Sequence, residues 1–136
     1  MVSIVGKYEN VSSENLEEYL TTVSGAAQVE AARAFAQGKP TFEVSQSGDQ
    51  WTIVVANEGK SSKTTFTLGT PYDETMPHGA VLKSLTTRDG NTFTTVTDLP
   101  DGNQSVRVYE FTPSGINVRL SDKKVGVKAT RTYKRV

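Results

Sequence analysis

Hydrophobic positions change their period once along this chain. Between residues 13 and 36 they recur every three or four residues, at Leu16, Tyr19, Leu20 and Val23 and then at Val29, Ala32 and Phe35. That spacing predicts two short helices, split at Ser24-Gly25 and ended by Gly38-Lys39-Pro40. Ser12 or Ser13 is the expected N-cap, with Glu14, Glu17 and Glu18 near the positive end of the helix dipole. Neither helix is long enough to be stable alone, so the pair needs a surface to lie on.

Beyond Pro40 the pattern becomes that of strands with regular punctuation. Strands are predicted over residues 41–45, 51–56, 63–68, 72–75, 81–87, 92–97, 106–112, 116–120 and 125–133, with a further one at 5–10 before the helices. Between them stand turn sequences such as Ser47-Gly48-Asp49, Arg88-Asp89-Gly90-Asn91, Pro100-Asp101-Gly102-Asn103 and Pro113-Ser114-Gly115. Ten short strands joined by tight turns form an antiparallel meander, and a meander of that length must curl, split or close, because exposed edges aggregate. The expected fold is therefore mainly β: a ten-stranded antiparallel up-and-down barrel capped at one end by the helix-turn-helix at about 13–36.

Composition narrows what such a barrel can do. The 136 residues fit one domain, and no linker or low-complexity stretch divides them, so a single domain over 1–136 is expected. Fifteen Lys plus Arg balance fifteen Asp plus Glu, which argues against generic binding to a phosphate backbone. The absence of Cys and the single histidine, His78, remove thiolate chemistry and most metal constellations. No metal, no cofactor and no catalytic residue is expected, and His78 reads as a loop histidine beside Pro77. No apolar run approaches a membrane span, and the first residues lack a signal-peptide profile, so a cytoplasmic location is expected.

Strand parity singles out a few residues. On the last strand one face carries Val125, Val127, Ala129, Arg131 and Tyr133, and the other carries Gly126, Lys128, Thr130, Thr132 and Lys134. The first face belongs inside, and it takes Arg131 with it. A buried guanidinium keeps its proton and calls for an anion, either an internal carboxylate or a ligand. On 106–112 the parity leaves two readings. If Arg107, Tyr109 and Phe111 face inward, two guanidiniums and two phenols converge into a carboxylate clamp. If the alternate face points in, Glu110 becomes a candidate partner for Arg131. Asp73 and Glu74 are neighbours on opposite faces of one short strand, not a dyad.

Several segments together resemble the intracellular lipid-binding proteins, the fatty acid-binding protein family. The stretch Gly6-Lys7-Tyr8-Glu9-Asn10-Val11-Ser12-Ser13-Glu14-Asn15-Leu16-Glu17-Glu18-Tyr19-Leu20 resembles the family's N-terminal signature, with Leu16 where Phe is usual. Lys39-Pro40-Thr41 is similar to its approach to the second strand, Phe66-Thr67-Leu68-Gly69 to its Phe-x-Leu-Gly, and Arg131-Thr132-Tyr133 to its C-terminal Arg-x-Tyr. The resemblance runs the length of the chain.

It implies a ten-stranded β-clam, lipocalin-like, with a helical lid, and a non-enzymatic carrier whose ligand carboxylate is held by Arg131 and Tyr133. The family's second arginine does not carry over directly. Aligning Tyr109-Glu110-Phe111-Thr112 with the family's Arg-Glu-Leu-Thr puts Tyr109 in its place, and Arg107, two residues earlier on the same face, is expected to substitute for that arginine from a different depth in the barrel; this favours the inward reading of both and adds Arg107 and Tyr109 to the expected carboxylate-binding set. The resemblance also implies a portal between the second helix and nearby turns, where Val29, Ala32, Phe35, Thr75 and Met76 would meet the ligand tail. The implied ligand is a long-chain fatty acid or similar hydrophobic small molecule, bound by a monomer with transient membrane contact. A retinoid or sterol-like ligand, and a barrel used as a protein-interaction module, are the alternatives.

Overall fold

The computed structural model describes residues 4–16, 18–19, 40–57, 60–75, 81–99, 102–124 and 126–136. Ten strands form one antiparallel sheet: β1 (Gly6–Glu14), β2 (Thr41–Ser47), β3 (Gln50–Asn57), β4 (Lys60–Thr67), β5 (Tyr72–Thr75), β6 (Val81–Asp89), β7 (Thr92–Asp98), β8 (Gln104–Thr112), β9 (Gly115–Asp122) and β10 (Lys128–Arg135). Chain neighbours pair with one another, except β4 with β5, and β1 pairs with β10 to curl the sheet into a nearly closed barrel. The seam between β4 and β5 lacks a hydrogen-bond ladder but is not bare. Phe66 and Tyr72 stack across it with ring centroids 5.0 Å apart, and the Gly69 N–H donates to the Thr86 carbonyl at 2.9 Å.

Alternation along the strands places the core inside the barrel. On β2 Phe42 and Val44 are buried between exposed neighbours, and on β10 Ala129, Arg131 and Tyr133 are buried between exposed Lys128, Thr130, Thr132 and Lys134. Trp51 is buried on β3 opposite Phe66 on β4, with Ile53 and Val55 packed against the same core. Aromatic rings run through the interior, edge to face or tilted: Trp51 to Phe93 at 5.2 Å, Phe93 to Phe111 at 5.3 Å, Phe111 to Tyr8 at 6.0 Å and Tyr8 to Phe42 at 6.3 Å. Such pairs add about 0.5–1.5 kcal/mol each beyond area burial.

Two boundaries differ from expectation. Ser12 and Ser13 are not helix caps: β1 continues through them to Glu14 and pairs them with Thr132 and Arg131. A register shift between Asn10 and Ser12 makes this continuation fit, with the Asn10 side-chain amide donating to the Ser12 carbonyl (3.2 Å) and the Thr132 carbonyl (3.3 Å). The chain leaves the strand only at Asn15, which takes a left-handed φ of 58° and accepts the Tyr19 N–H at 3.1 Å. The last strand starts at Lys128, three residues later than its hydrophobic pattern suggests. Asp122 is buried and accepts the Val127 N–H at 2.8 Å, so that residue belongs to the turn. Beyond this first bond the expected helix-turn-helix lies outside the described residues, as do Val29, Ala32, Phe35 and Met76.

Candidate functional site

The β8 parity resolves in favour of Arg107 and Tyr109 facing inward. Glu110 lies on the outer face, half-exposed, with its carboxylate 3.9 Å from Arg119. Tyr109 stands between two arginines: its hydroxyl accepts from Arg107 Nη1 at 3.3 Å, and the charge of Arg131 also acts on it. Phe42 links the two phenols, with ring centroids 5.8 Å from Tyr109 and 5.5 Å from Tyr133. Strands β2, β8 and β10 thus bring Arg107, Tyr109, Arg131 and Tyr133 into one inner cluster.

Arg131 is 4% exposed. Its Nε donates to the Ser13 hydroxyl at 2.9 Å, across the β1–β10 pair, and its guanidinium carbon lies 6.0 Å from the Tyr133 ring centroid. Burial pulls its pKa down from the ordinary arginine value while Tyr133 and Tyr109 oppose that, and an arginine so placed remains a cation. Burial pushes the Tyr133 hydroxyl up to about 12, so it stays protonated and can donate to an anion. Burial likewise raises Tyr109.

Arg107 has an internal carboxylate. Its Nη1 donates to Glu74 Oε2 at 2.8 Å and its Nη2 to Glu74 Oε1, a two-pronged pair with both side chains about one-sixth exposed or less (16% and 14%). Arg107 Nη2 also donates to Thr97 Oγ1 at 3.0 Å, and the Ser84 hydroxyl donates to Glu74 at 2.8 Å and shares a 2.7 Å bond with Thr97. Burial pushes the Glu74 carboxyl up, but the Arg107 charge and the bonds from Arg107 and Ser84 outweigh it and hold it below the ordinary carboxylate value. For Arg107 burial opposes the charge, and Glu74 outweighs that too, leaving it well above the ordinary arginine value. Next to this pair, Tyr72, Thr86 and Thr95 form a chain of hydroxyls at 2.8 and 2.7 Å, so the inner wall of β5–β8 carries a polar stripe beside Phe93 and Phe111, where that of β2–β4 is aromatic and aliphatic.

Three contributors were missed by reading the sequence. Glu74 shares its strand face with Tyr72, which turns inward, and that parity was a usable signal. Asp73, on the opposite face, pairs with Lys83 outside at 2.7 Å. Ser13 gave no such signal, because the shift within β1 is what sets its register. Tyr19, read as a helix position, is buried, and its hydroxyl donates to the Ser121 carbonyl at 3.4 Å near the β8–β9 wall. Thr75 ends β5 opposite Val81.

No family model matches the chain. A curated relative, fatty acid-binding protein homolog 5 of Caenorhabditis elegans, is 38% identical over 87 residues, a match spanning 63% of this chain and 62% of that protein. A fatty acid-binding protein of Lepidoglyphus destructor is 30% identical over 135 residues, 99% of each chain. Among solved structures, the fatty acid-binding protein from brain tissue of Drosophila melanogaster superposes with a TM-score of 0.82 at 32% identity, covering 97% of this chain and 99% of that one. Agreement of sequence over nearly the whole length with agreement of fold places the chain in the fatty acid-binding proteins of the intracellular lipid-binding family, a family of carriers and not of enzymes.

Proposed function

We propose that this protein carries a long-chain fatty acid inside its barrel, with the carboxylate held by Arg131 and Tyr133 and oriented by the Tyr109 hydroxyl. The observation that carries this reading is the burial of Arg131 on an inner strand face, beside the Tyr133 phenol, which stays protonated and itself packs against Phe42. A buried guanidinium and a protonated phenol on one inner face are donors matched to a carboxylate, and a fatty acid supplies that carboxylate together with an apolar chain for the aromatic wall. Burial of the chain contributes about 25 cal/mol per Å², and the headgroup contact fixes orientation. The names of the relatives, fatty acid-binding proteins from nematode, mite and fly, support the same ligand class.

A portal for the tail, which the family resemblance assigns to Val29, Ala32, Phe35, Thr75 and Met76, belongs to the same proposal. The carrier works as a cytoplasmic monomer, one barrel per chain, that touches membranes transiently to exchange its ligand. The test is native mass spectrometry of the purified protein, followed by delipidation and titration with a fluorescent fatty acid. A retained fatty acid, or saturable binding displaced by palmitate, is the expected result. No retained lipid and no displaceable signal would contradict the reading.

A further inference from the structure

Arginine carries five N–H donors, four of them on the two terminal nitrogens. In Arg107 those two nitrogens make four bonds: two to Glu74, one to Thr97 and one to Tyr109. Glu74 is itself fixed, since the Ser84 hydroxyl donates to it and β5 pairs Glu74 with Leu82 on β6. A ligand headgroup that wanted the two terminal nitrogens of Arg107 would have to displace a carboxylate already anchored on both sides; only the buried Nε has no hydrogen-bond partner among the described residues. Yet Tyr109 accepts from Arg107 and shares the Phe42 ring with Tyr133, over which Arg131 lies, so both guanidiniums belong to one cluster and would meet one doubly charged headgroup if Glu74 were neutral.

We infer that Glu74 is a specificity-determining residue: by holding Arg107 in a neutral pair it keeps that arginine out of the headgroup site, which thereby selects a singly charged carboxylate over a doubly charged headgroup such as an alkyl phosphate. The inference rests on the proposed carriage of a fatty acid, and it concerns only which charges meet the headgroup. Opposite charges in a desolvated site govern discrimination more than total affinity, because each unmatched charge is left buried.

The experiment compares palmitate with hexadecyl phosphate, at a pH of about 8 where the phosphate monoester is a dianion. The wild type, Glu74→Gln, the double variant Glu74→Gln/Arg107→Gln and Arg131→Gln are titrated by displacement of one fluorescent probe. The double variant removes the pair without leaving a buried charge, and it keeps the test decisive if Glu74→Gln alone fails to fold. It is expected to bind palmitate within about threefold of wild type, whereas Arg131→Gln loses about tenfold or more. Glu74→Gln, where folded, is expected to shift the preference toward hexadecyl phosphate by about tenfold or more. The inference is overturned if the double variant loses palmitate as severely as Arg131→Gln, or if folded Glu74→Gln leaves the ratio of the two affinities unchanged. A wild type that binds neither ligand overturns the carrier reading itself, a result distinct from either of these.

Discussion

Ser13 accepts a hydrogen bond from Arg131 Nε at 2.9 Å, joining the end of β1 to the middle of β10. The contact exists because β1 runs past Asn10 with a shifted register and turns the Ser13 hydroxyl toward the buried guanidinium. One N–H of Arg131 is thereby fixed, and with it the direction in which the guanidinium presents its other donors.

Replacing Ser13 by Ala should therefore weaken headgroup binding without harming the fold. A hydrogen bond to a charged group is worth about 1.5–3 kcal/mol, part of which other contacts of Arg131 recover, so fatty acid affinity should fall about three- to tenfold. The alcohol of the same chain length should bind as before. Calorimetric titration of both ligands checks this, and equal losses for both would assign Ser13 to packing alone.

The Glu74–Arg107 pair has a signature in stability. Removing one partner of a buried pair leaves an uncompensated charge, so Glu74→Gln should cost about 3–5 kcal/mol at neutral pH. The folded pKa of Glu74 lies below its ordinary value of 4.5, so its contribution is fully present above that value and is lost as pH falls through the depressed folded value. The stability gap between wild type and Glu74→Gln should narrow as pH drops below 4.5. Urea unfolding at a series of pH values measures it, and parallel curves would contradict the ionic role of Glu74.

Tyr72 and Tyr133 both have hydroxyls raised by burial to about 12, against an ordinary value of 10.0. Their contribution to stability is present below pH 10.0 and is lost as pH rises through about 12. Ultraviolet titration of tyrosinate should show at least two phenols that ionise only near that value or with unfolding. Tyr133→Phe should remove one of them and weaken fatty acid binding. A normal titration of every tyrosine would sink the claim that these hydroxyls are held as donors.

Gly115 fixes the register that presents Tyr133. A Cβ at this position would lie 1.9 Å from the Tyr133 carbonyl oxygen, which is backbone and cannot step aside. Gly115→Ala should destabilise the barrel by about 3 kcal/mol or more. Gly48, with φ 61° but no atom within 4 Å of a built Cβ, offers the contrast. Gly48→Ala should cost only the left-handed backbone strain of about 1–2 kcal/mol. Thermal unfolding of the two variants side by side distinguishes steric contact from backbone strain.

What the sequence made legible follows from the period of its side chains. The inward set Ala129, Arg131 and Tyr133 could be read directly, since alternation on a one-sided sheet fixes the face. The direction of Arg107 and Tyr109 could not, because β8 is amphipathic on both faces and its parity depends on pairing with β7 and β9. Glu74 was visible as a residue but not as a partner: the ion pair joins β5 to β8, 33 positions apart, and only closure of the barrel brings them together. Ser13 was misread as a cap because a serine before a run of acidic residues has the same local pattern whether the chain is ending a strand or starting a helix.

The central claim is that Arg131 meets a ligand carboxylate inside the barrel. Its most direct test is the affinity of wild type and Arg131→Ala for a fatty acid and for the alcohol of equal chain length, measured on delipidated protein. The account predicts that the variant loses about a hundredfold in affinity for the acid, near 3 kcal/mol, while the alcohol binds almost unchanged. Equal losses for acid and alcohol would contradict it, leaving Arg131 as a structural cation and no more.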